Sequence, residues 1–366
     1  MIGNGDSTAE AVQPCKNARK SFAAAGDRDN AVRATSDLAT FYFQQGDLDR
    51  SEAMLRQAIK VFRQIGDLEG VTTASANLGD ISLARGNLTE AARALSDAIP
   101  GYKEMGDKDG VALILADLAK IARLRGDLKA ALIGYKEARA IAQEIADKRA
   151  VAYALAGAGD VLADQGDLQA ARSSYQESLV LSKGIGEKQS VAETELALAR
   201  LSVEEGHAAE ADTVIRKCKE QFHQDGQADD ELSASVVLID GLLAEVKYGD
   251  AAREAAAEKP LATKSANQLI RFQFDLVSAR VELASGHLES SRAQLERTLQ
   301  SAHAHRLLGV ELETRLALAE LKKKPGQSVG AQADLVALEK FAQGRGFGLI
   351  ASKAQSIRNN GEKRPP

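Results

Sequence analysis

Three features of this chain have the residue types that chemistry uses: the stretch AGAGDVL at Ala156, the histidines of HAH at His303 and His305, and the cysteines Cys15 and Cys218. Glycines could cradle a phosphate, but AGAGDVL lacks the third glycine of the dinucleotide fingerprint and the strand that should precede it, so they read as packing residues. Histidines two apart point in different directions on a helix, and no carboxylate cluster accompanies them. Two cysteines so far apart form neither a disulfide framework nor a zinc site. Both fall in phase with apolar packing positions and are expected to be buried structural thiols. No nucleophile elbow, zinc-protease helix or phosphate loop is present. The expectation is a protein without catalytic residues, metal or cofactor.

Composition narrows the class further. Hydrophobic residues make up 44% of the 366, enough for a continuous core, while aromatics are only 4% and tryptophan is absent. That balance favours closely packed helices over sheets. The net charge of -5 argues against a dedicated nucleic-acid binder, which carries a basic stripe. No apolar run reaches the length of a membrane span, and even SASVVLIDGLLAEV is cut by Asp240. MIGNGDSTAEAV has no basic stretch followed by an apolar one, so no secretory leader is expected and the localisation reads as cytoplasmic.

The decisive pattern is a period. Glycines stand at 46, 86, 126, 166 and 206, and again at 286 and 326. A second series, offset by half a period, runs through Gly26, Gly66, Gly106, Gly186, Gly226 and Gly346, with Ala146 filling one gap. Glycine suits the left-handed residue just past a helix end, and a neighbouring Asp or Asn caps the next helix. Two such signals per 40 residues predict two helices per repeat. Phased on the first series, small residues recur on one helix (Ala39, Gly79, Ala119, Gly159, Ala199) and on its partner (Ser51, Ala91, Ala131, Ala171, Ala211). A large residue follows the second set: Leu55, Leu95, Tyr135, Tyr175, Ile215. Small residues let helix axes approach and large ones fill the adjoining gap. The phase of Tyr135 and Tyr175 places both rings in the core. A helix pair of this kind buries its apolar face only against its neighbours, which predicts a solenoid.

NLGDISLARGNLTEAARALSDA at Asn77 and AGDVLADQGDLQAARSSYQES at Ala158 resemble the tetratricopeptide-repeat (TPR) family. The usual repeat has about 34 residues. The 40-residue form here looks like that of spindle-orientation adaptors and of the C-terminal repeat regions of bacterial signalling kinases and regulators. The resemblance implies an all-α fold: a right-handed superhelical solenoid of antiparallel helix pairs, about eight repeats plus a capping helix. It divides the chain into a partial repeat at 1–29, regular repeats at 30–226, divergent repeats at 227–345, a capping helix at 346–358 and a flexible tail at 359–366. Around VKYGDAAREAAAEKPLATKSAN the glycine slips to Gly249 and Pro260 is expected to end a short helix, giving a shortened repeat that bends the solenoid. AVQPCKNARKSFAAAGD fits only a second helix, with Ala11, Cys15 and Ala18 at its packing positions. It is either a cap or the sign of an upstream part of a larger protein.

In arrays of that family the first helix of each pair lines a concave groove that binds extended peptide. The resemblance places Asp37, Asn77 and Asp117 on an asparagine-type ladder that hydrogen-bonds a peptide backbone, with Gly157 and Ala197 departing from it. One turn on, Thr40, Asp80, Lys120, Asp160 and Arg200 face the same way. Aspartate accepts backbone N–H bonds but cannot donate to a carbonyl. The groove leans acidic, so a basic or amine-bearing segment is the expected partner. Lys120 and Asn77 alone do not make a clamp for a terminal carboxylate. The chain therefore reads as a non-enzymatic protein- or peptide-binding scaffold. The alternative is a regulatory or sensor module of a larger bacterial signalling protein, acting by self-association or intramolecular control. No nucleic-acid or membrane partner is expected, and the exposed end helices allow a homodimer.

Overall fold

The computed structural model describes residues 6–324 and 330–359. It is all-α, with eighteen helices and no strand among the described residues. A lone helix, α1 (Asp6–Ala24), precedes eight antiparallel pairs. The first helices of the pairs, termed A, are α2 (Arg28–Gln44), α4 (Leu68–Ala84), α6 (Lys108–Leu124), α8 (Lys148–Asp164), α10 (Lys188–Glu204), α12 (Ala228–Ala244), α14 (Gln268–Ala284) and α16 (Leu308–Lys322). Their partners, termed B, are α3 (Leu48–Ile65), α5 (Leu88–Glu104), α7 (Leu128–Glu144), α9 (Leu168–Ile185), α11 (Ala208–Gln224), α13 (Tyr248–Lys264), α15 (Leu288–Ala304) and α17 (Ala331–Gly344). The capping helix, α18 (Gly348–Asn359), closes the array, which winds as a right-handed solenoid. Residues 360–366 and Gly326 lie outside the described residues.

Why the chain turns every twenty residues is visible in the backbone. At the end of α2, Asp47 N–H donates to Tyr42 O (2.8 Å) and Gly46 N–H to Phe43 O (2.9 Å), the paired bonds of a Schellman end. That geometry forces the residue at 46 into the left-handed region, which costs an L-residue about 1–2 kcal/mol and glycine almost nothing. Glycine holds most of these positions, while Ala146, Val246 and Arg306 adopt them at φ 57, 61 and 58°. Val246 corrects the expected slip at Gly249: the phase is kept by valine in a glycine conformation. Pro260 does not end α13, which runs its full 17 residues. Both Pro260 and Ala256, whose carbonyl the proline leaves unpaired, lie on the exposed face, where water can take that carbonyl. The expected shortened repeat is thus of ordinary length.

Next to each turn a side chain caps the following helix. Asp27, Asp47, Asp67, Asn87, Asp107, Asp127, Asp147 and Asp167 each accept an N–H from the first turn of the helix they precede. Past that point Asn267 caps α14 in the same way, whereas Glu187, His207, Gln227, Lys247, His287 and Leu307 make no such bond.

The repeated small positions do what their spacing predicts. A Cβ on Gly79 would fall 2.8 Å from Leu95 Cγ, so α4 and α5 meet with no room to spare. Ser51 and Ser291, which replace alanine at the facing position, donate to Ala39 O and Ala279 O, each at 2.7 Å. Cys218 is buried with Ala58, Ala98 and Ala138 at the same position, and burial pushes its thiol up to about 11. Cys15 departs from expectation: it is only half-buried.

The superhelix returns onto itself. Gly86 lies against Gln268, Gly126 against Leu308, and Gly166 against Gly348, in each case four and a half repeats further along the chain. One apolar cluster joins α6 to α8 with α16 to α18, among them Leu128, Val161, Leu312, Phe347 and Ile350. A second joins Leu88 and Ile121 to Phe272 and Leu307. Lys353 Nζ on α18 pairs with Glu204 Oε2 on α10 at 2.6 Å. The second superhelical turn therefore seats on the A–B turns of the first, and the concave groove becomes a channel.

Candidate functional site

The inner face of the channel is built by the A helices, and residues three or four apart on each lie along it. Near the start it carries Asp37 and Thr40 of α2, both exposed. Burial raises the Asp37 carboxyl, with Arg33 acting against it. Thr40 Oγ1 donates to Ser36 O at 3.4 Å. Asn77, on α4, is half-buried.

Further in, carboxyls on four helices feel the charge of one lysine, Lys120 of α6. Burial pushes Asp80 of α4 up to about 7, Glu193 of α10 up to about 7 and Asp230 of α12 up to about 6. Burial also raises Asp117 of α6, opposed by a hydrogen bond of 2.7 Å that Asp117 Oδ1 accepts from Tyr153 Oη. The Lys120 ammonium acts on all four carboxyls and lowers each of them. Lys120 itself is exposed and makes no direct ion pair among the described residues. A cavity of about 210 Å³ opens beside it, lined by Lys120, Tyr153, Gly157, Asp160, Tyr175 and Glu193 among others. Four carboxyls around one cation leave an excess of negative charge as they ionise.

The Asp160–Tyr175 hydrogen bond, in which Tyr175 Oη donates to Asp160 Oδ1 at 2.6 Å, lies where two cavities meet. Beyond it lies a second cavity of about 180 Å³, and Asp160, Tyr175 and Ala197 line both. Here charges are mostly paired across helices. Arg123 bridges Asp160 (3.0 Å) and Asp164 (2.6 Å), and Arg280 pairs with Asp240. Burial raises Glu313 and Asp164, while the Arg123 guanidinium holds Asp164 back. Arg200 opens onto the same cavity.

Of the residues singled out by spacing, the structure brings Asp80, Asp117 and Lys120 into one electrostatic group and places Asp160 and Arg200 deeper in the channel. Asp37 and Thr40 stand apart, near the start of the array. Tyr153 and Glu193 went unnoticed, although they occupy the row one turn before the ladder and the period could have found them. The rings of Tyr135 and Tyr175 are buried as expected, but the Tyr175 hydroxyl reaches into the channel. Gly157 leaves the ladder for a packing reason: a Cβ there would lie 2.2 Å from the Tyr135 ring. His303 and His305 diverge, one 3.2 Å from Glu311 and the other edge-on to Phe272.

The profile of the MalT-like TPR region matches residues 39–347. The chain belongs to the MalT-like TPR family. No curated protein matches it. Among solved structures, this MalT-like TPR array is similar to the Rap conjugation gene regulator of plasmid pLS20 in complex with the Phr* peptide. The TM-score is 0.64 over 97% of this chain and 98% of that one, at 13% identity. A Rap protein complexed with competence and sporulation factor gives 0.62 over 95% and 100%, at 15% identity. The apo form of RapI gives 0.51 over 79% and 99%, at 12% identity. At these identities the likeness is one of fold.

Proposed function

We propose that the channel binds an extended peptide segment carrying a basic side chain, and that the protein works as a non-enzymatic binding module. The observation that carries this reading is the group around Lys120. Asp80 and Glu193 are held near 7 because burial leaves their negative forms under-solvated. An ammonium or guanidinium entering the adjoining cavity, which Glu193 lines, would complete the solvation of that carboxylate, which makes the site selective for cations. In this reading Asn77 and Asp117 take backbone N–H groups of the ligand, with Asp37 and Thr40 extending the ladder outward. Two of the structures with similar folds were solved with a peptide or a competence and sporulation factor, which supports the ligand class.

The test is a hexapeptide library, with Lys or Arg at varied positions, measured against the wild-type protein and against Asn77→Ala/Asp117→Ala. The expected result is selection of basic peptides and a loss of about tenfold or more in affinity in the double variant, at unchanged helicity. Equal binding by both proteins would remove the groove from the account.

A second reading, the regulatory module of a larger signalling protein, draws on the seam between superhelical turns. The deeper cavity is lined by residues of both turns, so a ligand there would be linked to their contact. It predicts a change in assembly mass or radius of gyration when the selected peptide is added. Scattering profiles that overlay with and without peptide would oppose it.

A further inference from the structure

The cavity beside Lys120 lies where other repeats place a ring. Near the end of each B helix one position packs toward the start of the next A helix. Phe62, Tyr102 and Phe222 fill it, and the first two lie over Gly70 and Gly110. Alanine holds the place at 142, 302 and 342, where Leu155, Leu307 and Phe347 share its apolar cluster. Ala262 borders a cavity of its own. In α9 the position is Ser182, and the space stays open. Ser182 lines the cavity of about 210 Å³ together with Gly157 of α8 and Ser190 and Thr194 of α10.

The hydroxyls on its wall have already given their protons away. Tyr153 Oη donates to Asp117 Oδ1 (2.7 Å) and Tyr175 Oη to Asp160 Oδ1 (2.6 Å). Ser178 Oγ donates to Ala152 O (2.8 Å), Ser190 Oγ to Glu187 Oε2 (3.1 Å) and Thr194 Oγ1 to Ser190 O (2.7 Å). A hydroxyl has one proton and two lone pairs, so each of these oxygens can still accept but has nothing left to donate. The buried Ser182 hydroxyl has no partner among the described residues. Glu193 adds a carboxyl to the same wall. Lys120 is the one cation among the lining residues, and its charge already acts on four carboxyls. An anion here would find Lys120 and no hydroxyl proton, whereas a group rich in N–H would find acceptors on several sides.

Resting on the peptide-channel reading above, we propose that this pocket takes the basic side chain of the ligand and recognises its N–H groups as well as its charge. The apolar stem lies against Ala156, Gly157 and Ala197, and the ammonium or guanidinium donates to Glu193 and the hydroxyl oxygens around it. Gly157 and Ala197 are the two ladder positions without a polar side chain, and both line the pocket, so nothing at those positions crowds it. Negative charge is spread along the channel, but this set of acceptors fixes one place for the basic residue.

The experiment takes the tightest hexapeptide from the library with its basic residue set to lysine, trimethyllysine or norleucine. Trimethylation keeps the positive charge and removes every N–H. Wild type is expected to bind the trimethyllysine form about tenfold or more weakly than the lysine form, close to the norleucine form. Ser182→Phe/Ser190→Gly restores the ring and glycine found at Phe62 and Gly70, and should bind all three forms equally weakly. Ser190→Ala copies Ala150 of the preceding repeat, keeps the cavity and removes one acceptor. It should weaken the lysine form severalfold and leave the norleucine form unchanged. Helicity and melting are read for each variant, and if the ring variant unfolds, an unchanged lysine affinity in Ser190→Ala refutes the pocket. Equal binding of the lysine and trimethyllysine forms by wild type refutes N–H recognition while the groove stands. A trimethylation loss that persists in a folded ring variant places the basic residue elsewhere and refutes the pocket. If no basic hexapeptide binds wild type, the groove reading fails and this inference fails with it.

Discussion

The carboxyl of Asp80 bears on stability and, in the proposed function, on binding. In the fold it titrates at about 7, against an ordinary 3.8, because burial and the nearby Asp117 oppose its charge. Between those values the folded chain holds a proton that the unfolded chain has released. The stability this group contributes is complete below its unfolded value and is lost as pH rises through about 7. Glu193, at about 7 against 4.5, and Asp230, at about 6 against 3.8, act in the same direction. Asp80→Asn should therefore raise stability at pH 8 by on the order of 1 kcal/mol and leave it nearly unchanged at pH 4, as read by urea denaturation at the two values. Equal effects at both would show that ionisation is not the cause. Binding of a basic peptide should run the opposite way, tightening between pH 6 and about 8 as these carboxyls ionise. The 40-residue spacing revealed Asp80, Asp117 and Lys120, but not their grouping with Tyr153, Glu193 and Asp230. That grouping depends on how far each A helix rotates about the superhelix axis, which one repeat does not encode.

At the scale of the helix, the turn signals were the most legible part of the sequence. Glycine and aspartate in alternation mark helix ends through backbone terms that act locally, and the observed ends follow them. The misreadings fall where another residue type does the same job. Val246 holds a left-handed turn, and Pro260 sits inside a helix on its solvent face. Val246 is 64% exposed, so it gives up little packing if changed. Val246→Gly should stabilise the protein by about 1 kcal/mol, because a β-branched residue pays most for positive φ. Beside it, Lys247 stands where earlier repeats have a capping aspartate, and Lys247→Asp should add about 1 kcal/mol by accepting the free N–H groups of α13. Denaturant midpoints check both, and a fall in either midpoint would count against the turn geometry described.

The seam between superhelical turns belongs to the whole molecule and is not written in any single repeat. Gly86, Gly126 and Gly166 look like ordinary turn glycines, yet each also lies against a helix start from the following turn. A Cβ on Gly126 would sit 2.2 Å from Leu308 Cδ2, whereas Gly206, with the same φ of 86°, has nothing within 4 Å. Gly206→Ala should pay only the left-handed penalty, about 1–2 kcal/mol. Gly126→Ala should pay that and loosen the seam, so its radius of gyration should rise while that of Gly206→Ala stays put. Matching scattering curves for the two variants would mean that the turns do not depend on this contact.

The account turns on where a ligand sits. Amide hydrogen exchange, measured with and without the tightest basic hexapeptide, tests that most directly. The prediction is added protection along α4, α6, α8 and α10, whose inner faces carry Asn77, Asp80, Asp117, Lys120, Asp160 and Arg200, with the outer B helices α5 and α7 unchanged. Protection confined to those outer helices, with the inner faces unmoved, would contradict it.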